Sequence, residues 1–416
     1  MELSPIECFL KAAYERGHCT NQYLASVKFK GRLEKERIIG TLSRLFDHFH
    51  FLRARTKNKK ELAFDLLFSE VPIRFASSYD VASYENLLEQ LLYLPPNTLA
   101  YWHALILEHA SKSFEILFVF NHMIMDGTLF KMLLRNFLQS YEDPSSVLDS
   151  EEIGCRKRKK LKNAFIRFHD LRFLFRQRQL EYDPPRRVPL DQRRCQHYSV
   201  DLSSKALVLL KAKSKDEDVS LNALLTASLV KAFSEITLKK NLFLHTMIDL
   251  RKHFWVQEPA RFQADCIRSD FSDLNRYSLL ELARCYEKGF KEKLSRHKGF
   301  AQWIPSFLMV PFTEILKIKK DFFLGLGISN LMTFDPPPFM KSLHIEHCRI
   351  YLNRILGDYV FQLVLLTVEG KMNASFSYTS PLIERSLIEK VANRFIEILE
   401  AFAEAEQKVI SLASLS

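Results

Sequence analysis

The chain lacks any uninterrupted apolar run near the ~18 residues that a membrane-spanning helix needs, so no spanning helix is expected. Its start, MELSPIECFLKAAYERGH, carries charges at Glu2, Glu7 and Lys11 where a secretory leader would have a long apolar core. The seven cysteines (Cys8, Cys19, Cys155, Cys195, Cys266, Cys285 and Cys348) are scattered, odd in number and free of any CxxC. That pattern excludes a regular disulfide framework and predicts reduced thiols in a cytoplasmic protein. No P-loop, HExxH or GxSxG is present, and Leu324-Gly325-Leu326-Gly327 lacks the third glycine of a dinucleotide fingerprint. His344, Glu346, His347 and Cys348 are metal-binding residue types, but strand alternation places His344 and His347 on opposite faces, so no metal site is expected. No internal sequence repeat is visible.

What the chain has is core and positive charge. Its 416 residues are 47% hydrophobic and include 34 Phe, enough to fill substantial cores, which argues against disorder. Sixty Lys and Arg against 49 Asp and Glu leave a net charge of +11, which favours an anionic partner without choosing among phosphorylated cofactors, carrier proteins, acidic lipid and nucleic acid.

The most informative stretch is FEILFVFNHMIMDGTLFKMLLRNFLQSY, residues 114–141. Ile116 to Phe120 is a short apolar run suited to a strand buried on both faces. Leu129, Leu133 or Leu134, Phe137 and Tyr141 then recur at helical spacing. Between them lie His122, Asp126 and Gly127, which put a titratable imidazole at the end of a buried strand, with a glycine to turn the chain into the helix.

Around this stretch the chain reads as mixed α/β. Strands are expected at 24–31, 102–109, 196–202, 242–248 and twice within 360–378, the last pair joined at Glu369-Gly370-Lys371. Ala374, Phe376 and Tyr378 alternate there with polar Asn373, Ser375 and Ser377. Helices are expected along Leu33, Ile38, Leu42, Leu45 and Phe49, at 83–94 ahead of Pro95-Pro96, from a cap near Ser203 or Ser204, from the Ser220 stretch to about Phe233, at 278–294, and from about 381 to 405. Tyr182 to Pro189 holds three prolines and reads as a linker. Domains are therefore expected at 1–180 and 191–416, separated by residues 181–190. Arg156 to Lys160 opens a basic amphipathic helix to about 178, read either as a solvated interdomain face or as a peripheral contact with an anionic membrane or acidic partner. Its aromatics follow a helical stripe rather than a stacking platform, which disfavours nucleic acid.

The strand–HxxxDG–helix arrangement of His122, Asp126 and Gly127 resembles the CoA-dependent acyltransferase superfamily, which includes chloramphenicol acetyltransferase, yeast-type alcohol acetyltransferases, polyketide-associated acyltransferases and condensation domains. Further matches are Leu52-Arg53 after an early helix, Asp249-Leu250-Arg251 after a strand, and Ser329-Asn330-Leu331, although Met332 replaces a usual glycine. The resemblance implies two chloramphenicol-acetyltransferase-like αβ lobes, with mixed sheets flanked by helices and an active-site tunnel between them. It implies that His122 is the general base, that Asp126 pairs with an arginine (Arg251 here) to fix the loop, and that Gly127 leaves room for the donor. Ser329 and Asn330 would support the tunnel. Acyl-CoA would be a cosubstrate, with no permanently bound cofactor, and a small alcohol or amine the acceptor, in a monomer. A carrier-protein donor stays open. Asn121 stands where condensation domains usually have a second histidine, which moves the resemblance away from amide synthases. Asp321 to Gly325 approximates the plant branch's DFGWG poorly. A condensation-type amide synthase and a non-catalytic binding member remain alternatives. His245-x-x-x-Asp249 repeats part of the motif, with Leu250 where glycine is needed, and is read as a decoy.

Overall fold

The computed structural model describes residues 3–16, 21–58, 61–77, 81–93, 100–109, 112–149, 188–253, 262–296, 325–357 and 359–405. The basic segment 156–178 and most of the expected linker lie outside the described residues. The fold is mixed α/β, built on two sheets that are each flanked by helices.

The first half supplies helix α1 (Pro5–Arg16), strand β1 (Gln22–Lys30), helix α2 (Lys35–His48), a short pair β2 (Arg55–Thr56) and β3 (Leu62–Ala63), strand β4 (Ile73–Ser77), helix α3 (Val81–Tyr93), strands β5 (Trp102–His109) and β6 (Ser113–Asn121), and helix α4 (Gly127–Glu142). The second supplies strands β7 (Arg194–Leu202), β8 (Leu242–Asp249), β9 (Ala264–Phe271), β10 (Leu326–Phe334), β11 (His344–Leu352), β12 (Phe361–Val368) and β13 (Lys371–Ser380), with helices at Ser204–Asp216, Leu221–Thr237, Leu279–Arg296 and Arg385–Glu404. Of the two serines offered as a cap, Ser203 is the one used, and Ser220 caps the next helix; each side chain accepts a backbone N–H three residues on, from Ala206 and Ala223.

Strand order in the first sheet is β11-β1-β6-β5-β4, and in the second β7-β13-β12-β10-β8-β9. Every residue of β6 is buried, because both faces are covered. On one face Phe118 and Phe120 meet Phe130 and Phe137 of α4, with ring centroids 6.2–6.4 Å apart. On the other, Leu117 and Val119 share a cluster with Leu88, Leu91 and Leu92 of α3. Burial on both faces is what the unbroken apolar run signals.

One strand departs from the expected division. β11 comes from beyond the linker yet pairs antiparallel with β1, so residues of the C-terminal half complete the N-terminal sheet. It also lies on the second sheet through side chains: Cys348 N–H donates to Asn373 Oδ1 (3.3 Å) and Leu352 N–H to Ser377 Oγ (2.9 Å). The polar stripe of β13 is therefore buried, with Asn373, Ser375 and Ser377 at most 4% exposed. Its alternation marks a seam between sheets rather than a solvent face.

The alternation argument for His344 and His347 also fails. Register shifts between Lys28 and Phe29, so His344 stands opposite Lys30 and His347 opposite Lys28, positions on one face of β1. His347 turns to Glu115, 3.7 Å away, a buried carboxylate that also accepts from Tyr84 (2.6 Å) and Ser26 and lies 3.2 Å from His109. Those contacts outweigh burial and hold the Glu115 carboxyl well below the usual range. Among the described residues no group of three or more His, Cys, Asp or Glu is placed to hold a metal ion, and no single helix is long and apolar enough to cross a membrane.

Candidate active site

Asn121 ends β6. Its side-chain oxygen accepts the Met123 N–H at 3.0 Å and its carbonyl accepts the Ile124 N–H at 3.1 Å, which closes a turn and takes His122 out of the strand. The His122 N–H donates to Asn21 O at 3.2 Å. The imidazole is half-buried, edge-on to two aromatic rings. Tyr23 of β1 lies 5.2 Å away at 67°, and Phe262, from the second half, lies 5.0 Å away at 89°. The ring thus sits where the two halves meet.

Its tautomer follows from one contact. Nδ1 lies 2.8 Å from Met125 O. A carbonyl only accepts, so Nδ1 carries the proton and Nε2 keeps its lone pair. Burial lowers the imidazole's pKa below the ordinary 6.5, partly offset by the Met125 carbonyl and the Asp126 charge and reinforced by Arg354. The ring is neutral at physiological pH, with Nε2 as a proton acceptor.

Asp126 does not face the imidazole's free nitrogen; all its capacity is spent on structure. Oδ1 accepts from the Thr128 and Leu129 backbone N–H groups, each at 3.1 Å, capping α4. Oδ2 accepts from Arg251 Nη2 at 2.8 Å and from the Gln263 N–H at 3.0 Å. Desolvation alone would raise this carboxyl's pKa; Arg251 and the backbone donors outweigh that and hold it below the usual range. Arg251 reaches Asp249 Oδ1 as well, at 3.0 Å, and Asp249 Oδ2 accepts from the Thr128 hydroxyl at 2.7 Å. The start of α4 is therefore clasped to the second half through two aspartates, one arginine and one threonine. The sequence pointed to Arg251 but not to Asp249 or Thr128; the Asp-Leu-Arg run was the available signal, and its aspartate faces the same guanidinium.

Gly127 is not needed for the turn. It is the first residue of α4 and is not among the residues with positive φ, so its backbone conformation does not call for glycine. A Cβ built there would collide with Leu331 Cδ2. The missing side chain makes room for Leu331 of β10, whose carbonyl also accepts from Lys131 Nζ at 2.6 Å. Its neighbour Asn330 turns to the helix layer, donating to Asn222 Oδ1 at 3.1 Å and accepting the Met332 N–H at 2.9 Å. Ser329 alternates with it. Pairing with Val364, it shares the face of Gly327, away from core residue Ile328.

Neither family models nor curated protein sequences match this chain. Solved structures do, across nearly all of its length. The chain is similar to a trichothecene 15-O-acetyltransferase from Fusarium sporotrichioides at TM-score 0.71 and 12% identity, covering 97% of this chain and 94% of that one. It is similar to the epimerization domain from the third module of tyrocidine synthetase B at TM-score 0.65 and 12% identity, over 97% and 96%. Polyketide synthase associated protein 5 from Mycobacterium tuberculosis matches at TM-score 0.63 and 12% identity, over 96% and 97%. The chain has the fold of the CoA-dependent acyltransferases and condensation domains. Within that two-lobed fold the His122 turn lies at the junction of the halves.

Proposed function

We propose that this protein is an acyltransferase that moves an acyl group from a thioester to a hydroxyl or amine, with His122 as general base. One observation carries the reading: a neutral, half-buried imidazole at the junction of the halves has Nδ1 tied to Met125 O, which leaves Nε2 as acceptor. In the proposed reaction Nε2 takes the acceptor's proton as its oxygen or nitrogen attacks the thioester carbon. The tetrahedral oxyanion then collapses, the carbon–sulfur bond breaks, and the thiolate leaves with the proton returned from Nε2. General-base assistance of this kind is worth on the order of 10²–10⁴-fold. Acyl-CoA is the proposed donor, entering between the halves opposite the acceptor, and the basic surplus suits its phosphates.

The test is release of free CoA on mixing the purified chain with acyl-CoA and a panel of alcohols and amines. Turnover that requires His122 supports the reading. Turnover unchanged in His122→Ala removes the base, and turnover only from a carrier-bound thioester makes the donor a carrier protein.

A further inference from the structure

The crossing strand β11 delivers two polar residues into the junction beside His122. Asn353 is fully buried; its N–H donates to Gln22 O at 2.8 Å and its side-chain amide to Leu92 O at 3.0 Å. Arg354 follows, 7% exposed. Its Nη1 donates to Asn21 Oδ1 at 3.0 Å, its guanidinium carbon stands 4.7 Å from the centroid of the Tyr359 ring, and its backbone N–H donates to Cys195 Sγ at 3.2 Å. Asn21 has φ of 67°, the left-handed region that asparagine tolerates better than most residues. Its carbonyl accepts the His122 N–H at 3.2 Å. A buried cation, a left-handed asparagine and the base thus form one continuous chain, and the cation comes from the other half of the sequence.

Burying a guanidinium is costly, and a neutral side chain of similar size would fill the space more cheaply. We propose that Arg354 is a positioning residue for His122, fixing through Asn21 the turn that carries the imidazole. A cation held at that turn also works against a proton on the ring. The kinetic consequence rests on the acyl-transfer reading; the electrostatic one stands without it. Among the described residues, the other ionisable groups around the ring do not duplicate this role. Asp126 acts in the opposite sense, Arg251 is committed to Asp126 and Asp249, and the Tyr23 phenol is kept protonated by burial.

The experiment titrates full-length protein carrying ¹³C at histidine Cε1, with the His122 signal assigned by its loss in His122→Asn. Arg354→Met is expected to raise the His122 midpoint by about 0.5–1 pH unit, whereas Arg354→Lys, which keeps the charge, stays within about 0.2 unit of the parent. The acid limb of kcat/KM moves with the midpoint. An unchanged midpoint in Arg354→Met overturns the proposal, and so does an equal shift in Arg354→Lys, which would assign the effect to lost packing. Should Arg354→Met fail to fold, Arg354→Gln makes the same demand. A shifted midpoint in a protein that transfers no acyl group would leave Arg354 its role and remove the acyltransferase reading.

Discussion

The His-x-x-x-Asp spacing occurs three times, at His122, His197 and His245; two of these copies send their aspartates to one arginine, and only one of those two yields an available imidazole. Asn121-His122-x-x-x-Asp126-Gly127 follows β6; Leu244-His245-x-x-x-Asp249-Leu250 runs along β8. Both aspartates converge on Arg251, at 2.8 and 3.0 Å, and each stands just before a helical segment. The histidines diverge. His245 stays within β8, opposite Arg268 and Gly327, 2% exposed and edge-on to the rings of Phe243 and Tyr359. His122 lies beyond the end of its strand, because Asn121 turns the chain with its own side chain where Leu244 has no acceptor to offer. The residue before the histidine, rather than the histidine-to-aspartate spacing, separates the two.

The largest expected effect breaks this comparison outright. His122→Ala should lower kcat/KM on the order of 10²–10⁴-fold, while His245→Ala should leave it within about threefold and cost about 1–3 kcal/mol of stability from the buried space it vacates. Steady-state CoA release together with urea unfolding distinguishes the two. Equal kinetic losses in both variants would sink the distinction.

Next comes the clasp. Asp126→Asn removes the charge from a side chain 5% exposed and leaves Arg251 buried with one fewer anion, for which about 3–5 kcal/mol is the usual cost. Asp249 is less enclosed, its side chain 14% exposed, and Asp249→Asn should cost about 1–2 kcal/mol. A smaller loss for Asp126→Asn than for Asp249→Asn in urea unfolding would reverse the ranking of the two legs.

How far this was readable in the sequence depends on the range of the interaction. Local signals served well: the serine cap near Ser203 or Ser204, the Glu369-Gly370 turn with φ of 47° and 79°, and the apolar run of β6 each marked an element. The strand–turn–helix around His122 was legible for the same reason. What was lost is non-local. β11 crosses to the first sheet, and nothing in its own periodicity says which sheet it joins; the bulge beside Lys28 is set by a partner more than 300 residues away in the chain. The polar stripe of β13 resembles a solvent face until β11 is laid on it. Gly127 read as a turn residue that also leaves room for the donor, and its neighbour in space, Leu331, was out of sight because it is remote in sequence. Arg354 carried no motif at all.

A smaller effect sharpens the comparison at Asn121. Asn121→Ala removes the acceptor of the Met123 N–H, so the turn loses one hydrogen bond, about 1 kcal/mol. The His122 ring then becomes less fixed, and kcat should fall about tenfold with little change in KM, as expected when orientation rather than binding is lost. The corresponding change in the second copy, Leu244→Ala, should act on stability alone, since Leu244 belongs to the second hydrophobic core. A KM effect without a kcat effect in Asn121→Ala would place the turn in substrate binding instead.

The smallest effect is the dependence on pH, and its sign follows from burial. The folded state holds the His122 proton less tightly than the unfolded chain, because burial disfavours the charged ring. As pH falls below the ordinary value of about 6.5, the unfolded chain takes up a proton that the folded one resists, so stability falls through that window until the folded pKa is passed. His103 and His197, lowered by burial to about 4 and about 3, act in the same direction, so His122→Asn should remove only part of the loss. Glu115 and Asp126, both held low, contribute stability above about pH 4 and begin to lose it only below that point. Glu89, whose carboxyl burial raises, acts in the opposite sense but is common to both proteins, so in urea unfolding between about pH 7.5 and 5 the stability of the parent relative to His122→Asn should decline on acidification at no more than about 1.4 kcal/mol per pH unit. The acid limb of kcat/KM should lie below pH 6.5 for the same reason. A relative stability that stays flat, or an acid limb above pH 6.5, would mean that the ring is hydrated as a surface histidine is, and with that the physical difference between His122 and an exposed imidazole would be gone.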